Sequence, residues 1–176
     1  MQSWMQWQIR GNVLKTKVAY FGALTALGLI FSYIEALIPI HLGIPGAKLG
    51  LANLVIVVAL YKMSVRECYL LSIARVMLSG FLFGNLFGIL YSLAGGLFSL
   101  TVMAILKRTE KFSIIGVSIA GGVFHNVGQL IMAVVVLWSL SMVYYLPMLL
   151  IAGIVTGLLI GLAAREVLKR DGVWRV

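Results

Sequence analysis

The sequence predicts an all-α integral membrane protein, a bundle of six transmembrane helices, and three observations carry that expectation. Apolar residues fill 62% of the 176 positions and charged residues 11%, where soluble domains hold roughly 45–50% and 25%. Several apolar runs are long enough to cross a ~30 Å hydrocarbon core. Twelve of the fourteen Lys and Arg residues fall on alternate connections, so one side of a six-helix topology collects them. The mean hydropathy of +1.08 agrees.

The first run covers 18–38. It follows Lys15 and Lys17, exceeds the ~7–15 residues of a secretory h-region and lacks a small-x-small cleavage site, so it reads as a retained span. Residues 1–17 ahead of it set Trp4 and Trp7 beside Arg10, an interfacial segment on the cytoplasmic side. Pro39, Pro45 and Gly46 then turn the chain into a second, short helix at 49–62. A third, also short, covers 67–81. The stretch SGFLFGN breaks it from a fourth at 86–106, and a fifth follows at 112–138. SLSMVYYLP separates that helix from the sixth at 145–168. Residues 18–168 thus form the membrane domain, and 169–176 a cytoplasmic tail.

The basic residues set the orientation. Arg10, Lys15, Lys17, Lys62, Arg66, Lys107, Arg108, Lys111, Arg165, Lys169, Arg170 and Arg175 share one side, which the positive-inside rule makes cytoplasmic, with both termini there. The net charge of +9 is then a topology signal and a cushion for anionic lipid, with no need of a nucleic acid partner. A single cysteine, Cys68, excludes a disulfide framework and a Cys-rich metal site.

Polar residues inside the spans point to function. Lys48 and Arg75 are the two basic residues left over, and Glu35, Asn53, Asn85, His125, Asn126 and Gln129 join them. At 1.5 Å per residue, all eight fall in the outer half or near the midplane. His125, Asn126 and Gln129 share one helical face, and Ser72, Arg75 and Ser79 form another polar stripe. An arginine facing lipid costs about 2.5–3.5 kcal/mol on insertion scales, so such stripes turn inward. Each residue has a structural alternative. Arg75 can bridge to Glu35, Asn126 and Gln129 can tie helices together, His125 can be a hydrogen-bonded structural residue, and Lys48 can snorkel to headgroups. Their shared depth favours one outward-opening pocket in which Lys48 and Arg75 meet an anionic or electron-rich group. Asn53, Asn85, His125, Asn126 and Gln129 orient it, and Glu35 neutralises Arg75 or accepts a donor.

Missing motifs narrow the chemistry. No P-loop, H-E-x-x-H, C-x-x-C or G-x-S-x-G is present. Of the five acidic residues, Glu35, Glu67, Glu110, Glu166 and Asp171, only Glu35 lies on the outer side, so two carboxylates cannot meet there around a metal. No cofactor is expected, and a binding subunit fits better than an enzyme.

Three motifs carry a family resemblance: IPGAKLGLANLVIVVALY, SGFLFGNLFGILYSLAGG and GGVFHNVGQLIMA. Together they resemble the Gx transporter family, also labelled heptaprenyl diphosphate synthase component I, which is similar to the substrate-binding S components of energy-coupling factor (ECF) importers. The resemblance covers 18–168. It implies an S-component-like six-helix fold in a prokaryotic cell membrane, and capture of a vitamin-like or precursor solute from outside. The implied partners are a shared ECF transmembrane coupling subunit and two ATPase subunits. It further implies docking through small residues of the first helix, here Ala19, Gly22, Ala23 and Ala26, and a lid over the pocket at 39–48. Two alternatives stay open. One is an accessory subunit of isoprenoid or quinone biosynthesis, although prenyl diphosphate synthases use Asp-rich motifs and the sole aspartate here is Asp171. The other is a carrier driven by an ion gradient.

Overall fold

The computed structural model describes residues 2–37 and 50–170, with side chains described over 17–37 and 50–170. Six α-helices follow one another: α1 Gln2–Leu37, α2 Leu51–Lys62, α3 Val65–Phe83, α4 Leu86–Arg108, α5 Ile114–Leu137 and α6 Leu146–Arg170. A short 3₁₀ helix, Leu140–Tyr145, leads into α6, and the described residues contain no strand. The predicted helices are therefore present, with one large shift in bounds. α1 starts at Gln2 rather than at 18, because no proline interrupts its first half; its 36 residues run about 54 Å.

The six helices are not six equivalent spans. Among the described residues, four stretches are long and apolar enough to cross a bilayer: Lys17–Leu37, Leu86–Arg108, Ile114–Leu137 and Leu140–Arg170. α3 has the length but carries Arg66, Glu67 and Arg75. α2 has only 12 residues, a rise of about 18 Å.

α2 is short because it stands inside the others. Ala52 and the whole run Val55–Leu60 are buried, the signature of a helix that is apolar on every side. Gly50 precedes it with φ 75° and offers no side-chain cap. The first N–H groups of a helix cannot be left unsatisfied at depth in a membrane. α1 resolves this: Glu35 Oε1 accepts from Leu51 N at 2.7 Å. At the other end Lys107 of α4 donates to Leu60 O and lies 5.1 Å from the Tyr61 ring centre. An anion at the N-terminus and a cation at the C-terminus both match the helix dipole.

The connection to α3 is only Met63 and Ser64, and Ser64 with Glu67 forms a capping box that starts α3. Asn85 and Ser113 cap α4 and α5 without the reciprocal bond, their side chains accepting from Gly88 N and Gly116 N.

α5 and α6 form the tightest pair, an antiparallel hairpin in which backbone meets backbone. A Cβ on Gly122 would sit 2.3 Å from Gly153 O, and one on Gly157 would sit 2.7 Å from Ile119 Cα. Ser118 Oγ donates to Gly157 O and Asn126 Nδ2 to Leu149 O, each at 2.8 Å. Small residues and interhelical hydrogen bonds of this kind replace the hydrophobic drive that lipid removes. On its other side α5 meets α4, where Ser99 Oγ donates to Gly121 O at 2.8 Å. The echo of SLAGG in SIAGG marks the α4–α5 crossing, where Gly95 faces His125 and Gln129 of α5 and Gly121 faces Met103 and Ser99 of α4. Asn126→Ala removes one tie and should cost about 1 kcal/mol of stability. A melting scan of the purified variant in detergent measures this, and an unchanged midpoint would mean the bond contributes nothing net.

Polar and apolar residues separate along the bundle axis. The core gathers Leu24, Val55–Leu60, Cys68, Leu71, Leu100, Met103, Val117, Ala164 and Leu168 toward the end where Lys62, Lys107, Arg108, Lys169 and Arg170 close their helices. Large apolar side chains such as Ile30, Leu70, Phe98, Ile131, Ile151 and Leu159 face outward, as a lipid-facing surface requires. Gly50 packs against Ile160, its Cβ position 3.2 Å from that side chain. α2 therefore begins level with the middle of α6, some 21 Å along that helix. Above it, toward the opposite end, the interior is polar.

Candidate functional site

Among the described residues, two polar cavities meet at the N-terminus of α2 and a third adjoins them between α1, α3 and α4. One, of about 390 Å³ with its open part counted, is lined by Ser32, Glu35, Gly50, Ala52, Asn53, Arg75, Val76, Ser79, Ser92, His125 and Gln129. It touches α1 to α5. A second, of about 460 Å³ on the same measure, shares Gly50, Asn53, His125 and Gln129. It continues between α2, α4, α5 and α6 past Val57, Ser99, Met103, Ser118, Asn126, Thr156 and Ile160. The third, about 360 Å³, shares Ser32, Val76, Ser79 and Ser92 with the first and reaches the α3–α4 turn at Phe83 and Gly84.

Arg75 is the dominant charge. Its side chain is 7% exposed and passes beneath α1 at Gly28, where a Cβ would come within 2.9 Å of Arg75 Cδ. Gly28 thus leaves the room that the guanidinium stem needs to reach Ser32, whose Oγ accepts from Arg75 Nη1 at 3.3 Å. Nε is buried with no hydrogen-bond partner. Glu35 lies in the same cavity, with its Oε1 held by the first N–H of α2.

Five of the eight residues chosen from sequence line the first cavity: Glu35, Asn53, Arg75, His125 and Gln129. Asn126 lines the second, with its amide nitrogen on Leu149 O. Asn85 lies elsewhere. It is exposed, lines none of the three cavities, and its Oδ1 accepts from Gly88 N as the cap of α4. Lys48 and the lid segment 39–48 fall outside the described residues. The cavities also use residues that depth and charge do not single out, namely Ser32, Ser92 and Thr156. Within the stripe of α3, Ser79 lines the cleft while Ser72 is buried against Gly96 of α4. Among the described residues, no three His, Cys, Asp or Glu side chains come together as metal ligands.

The small face of α1 turns the other way. Ala19, Gly22, Ala23 and Ala26 are all exposed, and a Cβ on Gly22 would meet nothing within 4 Å.

Apolar helices of membrane-crossing length, wrapped around a short buried helix and a polar cleft, define a multi-pass membrane protein of transporter type. The chain belongs to the heptaprenyl diphosphate synthase component I family, whose model matches residues 24–167. No curated protein and no solved structure gives a match.

Proposed function

We propose that this chain is the solute-binding subunit of an ECF-type importer, which captures a small solute and passes it inward with an ATP-driven module. One observation carries the reading: a cleft lined by Glu35, Asn53, Arg75, His125 and Gln129 opens above the buried start of α2, with an apolar core between it and the basic end. Ionisable residues held inside a membrane bundle mark solute paths. The positive-inside rule makes the basic end cytoplasmic, so both termini are cytoplasmic and the cleft receives solute from outside.

The exposed strip Ala19, Gly22, Ala23 and Ala26 supports the partner assignment. Small residues at this spacing admit a second helix at close range, and the bundle itself leaves the strip unused. The coupling subunit would pack there. Ala23→Leu should abolish co-purification with the coupling subunit and its two ATPases, and lower ATP-dependent uptake at least tenfold. The melting midpoint should not move, because Ala23 is exposed. Intact assembly of the leucine variant, or uptake that persists without the ATPases, would overturn this assignment.

A further inference from the structure

The cleft has two chemically distinct halves, and the difference describes the molecule that fills it. In the first half Arg75 is more than nine-tenths buried, donates to Ser32 through Nη1, and keeps Nε without a partner. A buried guanidinium carries five N–H donors and accepts nothing, so it calls for an anion. Glu35 shares the cavity as a countercharge while its Oε1 also accepts from Leu51 N at the start of α2, and the Nε of Arg75 still has no hydrogen-bond partner. The helix N-terminus adds a further partial positive charge at the same place.

The second half is neutral. Among the described residues no charged side chain lines it, and its hydroxyls are spent on the backbone: Ser99 on Gly121 O, Ser118 on Gly157 O and Thr156 on Ala152 O. What remains is the apolar floor of Val57, Met103 and Ile160, with the Asn53 and Gln129 amides and the His125 ring at the junction of the two halves. A guanidinium recognises a planar carboxylate or a phosphate through paired hydrogen bonds, while the amides and floor suit an uncharged, flat body.

We propose that the cleft takes a small solute bearing one carboxylate or phosphate group, held at Arg75, with a neutral ring-sized body lying between α2, α5 and α6. This rests on the cleft being the solute site of the importer and adds the chemical class of the solute.

The test uses the full chain purified in a neutral detergent, with benzoate, phenyl phosphate and benzamide as probes. At ~20 mM, benzoate or phenyl phosphate should raise the melting midpoint by about 2–4 °C, and benzamide should not. Arg75→Met should remove the response. The comparison of benzoate with its amide is made on the wild type and holds even if the variant folds poorly. Equal stabilisation by benzamide overturns the anionic class and leaves the solute site standing. A benzoate shift that survives in Arg75→Met overturns the assignment to Arg75, and no shift with any probe overturns the class outright. A final arm adds phosphatidylglycerol alone: an Arg75-dependent shift there identifies a lipid headgroup and overturns the solute. Failure of the importer reading would show separately, in the assembly of the Ala23→Leu variant.

Discussion

Gly122→Ala is expected to lower the melting midpoint of the detergent-solubilised protein by about 6–12 °C, a large effect for one methyl group. The cause is local and steric. The new Cβ would lie 2.3 Å from Gly153 O, and the neighbouring contacts are also backbone, with Gly157 Cα at 3.2 Å. A flexible side chain could turn away; a facing helix backbone cannot. α5 and α6 must separate, which loosens the reciprocal contacts at Gly153 and Gly157 and stretches the hydrogen bonds of Ser118 and Asn126. Overpacking a close-packed site costs about 1–3 kcal/mol, and here the upper figure applies because backbone is opposed to backbone. At this chain length each kcal/mol corresponds to about 2–4 °C. The cleft should suffer too, since Gly121, Gly122, His125, Asn126 and Gln129 form its α5 wall. The control is Gly22→Ala on the open face of α1, where the added methyl meets nothing. It should cost nothing and gains up to about 1 kcal/mol of helix propensity. If the two substitutions behaved alike, close α5–α6 packing would not be what holds the bundle together.

That contrast also shows how far the sequence could be read. The breaks at 39–46, 80–85 and 139–147 delimit the helices, because proline, glycine and polar clusters punctuate apolar runs whatever their tertiary setting. The spacing of Gly153, Gly157 and Gly161 was equally visible. Yet glycines also stand on α1, α3 and α4, and only the fold separates those that face a backbone from Gly22, which faces open space. For the cleft, charge and amide groups inside apolar runs gave Glu35, Asn53, Arg75, His125 and Gln129, since lipid penalises each of them heavily. Serine and threonine give no such signal. They can satisfy themselves on a carbonyl one turn back, as Thr156 does on Ala152, so Ser32 and Ser92 were not distinguishable from solitary hydroxyls. Asn85 shows the converse. Its position immediately before an apolar run is the signature of a helix cap, and its Oδ1 accepts from Gly88 N in that role. Glu35 needed the fold most. Its bond to Leu51 N joins residues 16 apart in sequence, through a segment whose length says nothing of the return path.

Glu35 therefore carries the second large prediction. Glu35→Ala should cost about 3 kcal/mol, because a hydrogen bond from an N–H to a carboxylate contributes about 1.5–3 kcal/mol and its donor here opens a helix inside the bundle. The loss also takes a countercharge from the buried Arg75, whose side chain shares the cavity. Glu35→Gln retains a carbonyl acceptor for Leu51 N and should cost about 1 kcal/mol. Arg75→Met should behave differently again. Removing one partner of a buried charge pair is costly where the other is left uncompensated, but the Glu35 carboxylate keeps the Leu51 N–H as a donor, and the one hydrogen bond lost is that from Arg75 to the Ser32 hydroxyl at 3.3 Å. The methionine variant should thus lose clearly less stability than Glu35→Ala, whose carboxylate also opens a helix, while losing its response to anions. In the double variant Glu35→Ala/Arg75→Met, the cost of the unmatched cation disappears, so the sum of the single effects should exceed the double by about 1 kcal/mol or more. Urea or thermal melts of the four proteins close this cycle. If Arg75→Met alone destabilised as much as Glu35→Ala, the guanidinium would be a structural post beneath α1 and the cleft would lose its anion-binding residue. With the expected pattern, the carboxylate holds α2 in place and the arginine is kept for what it binds.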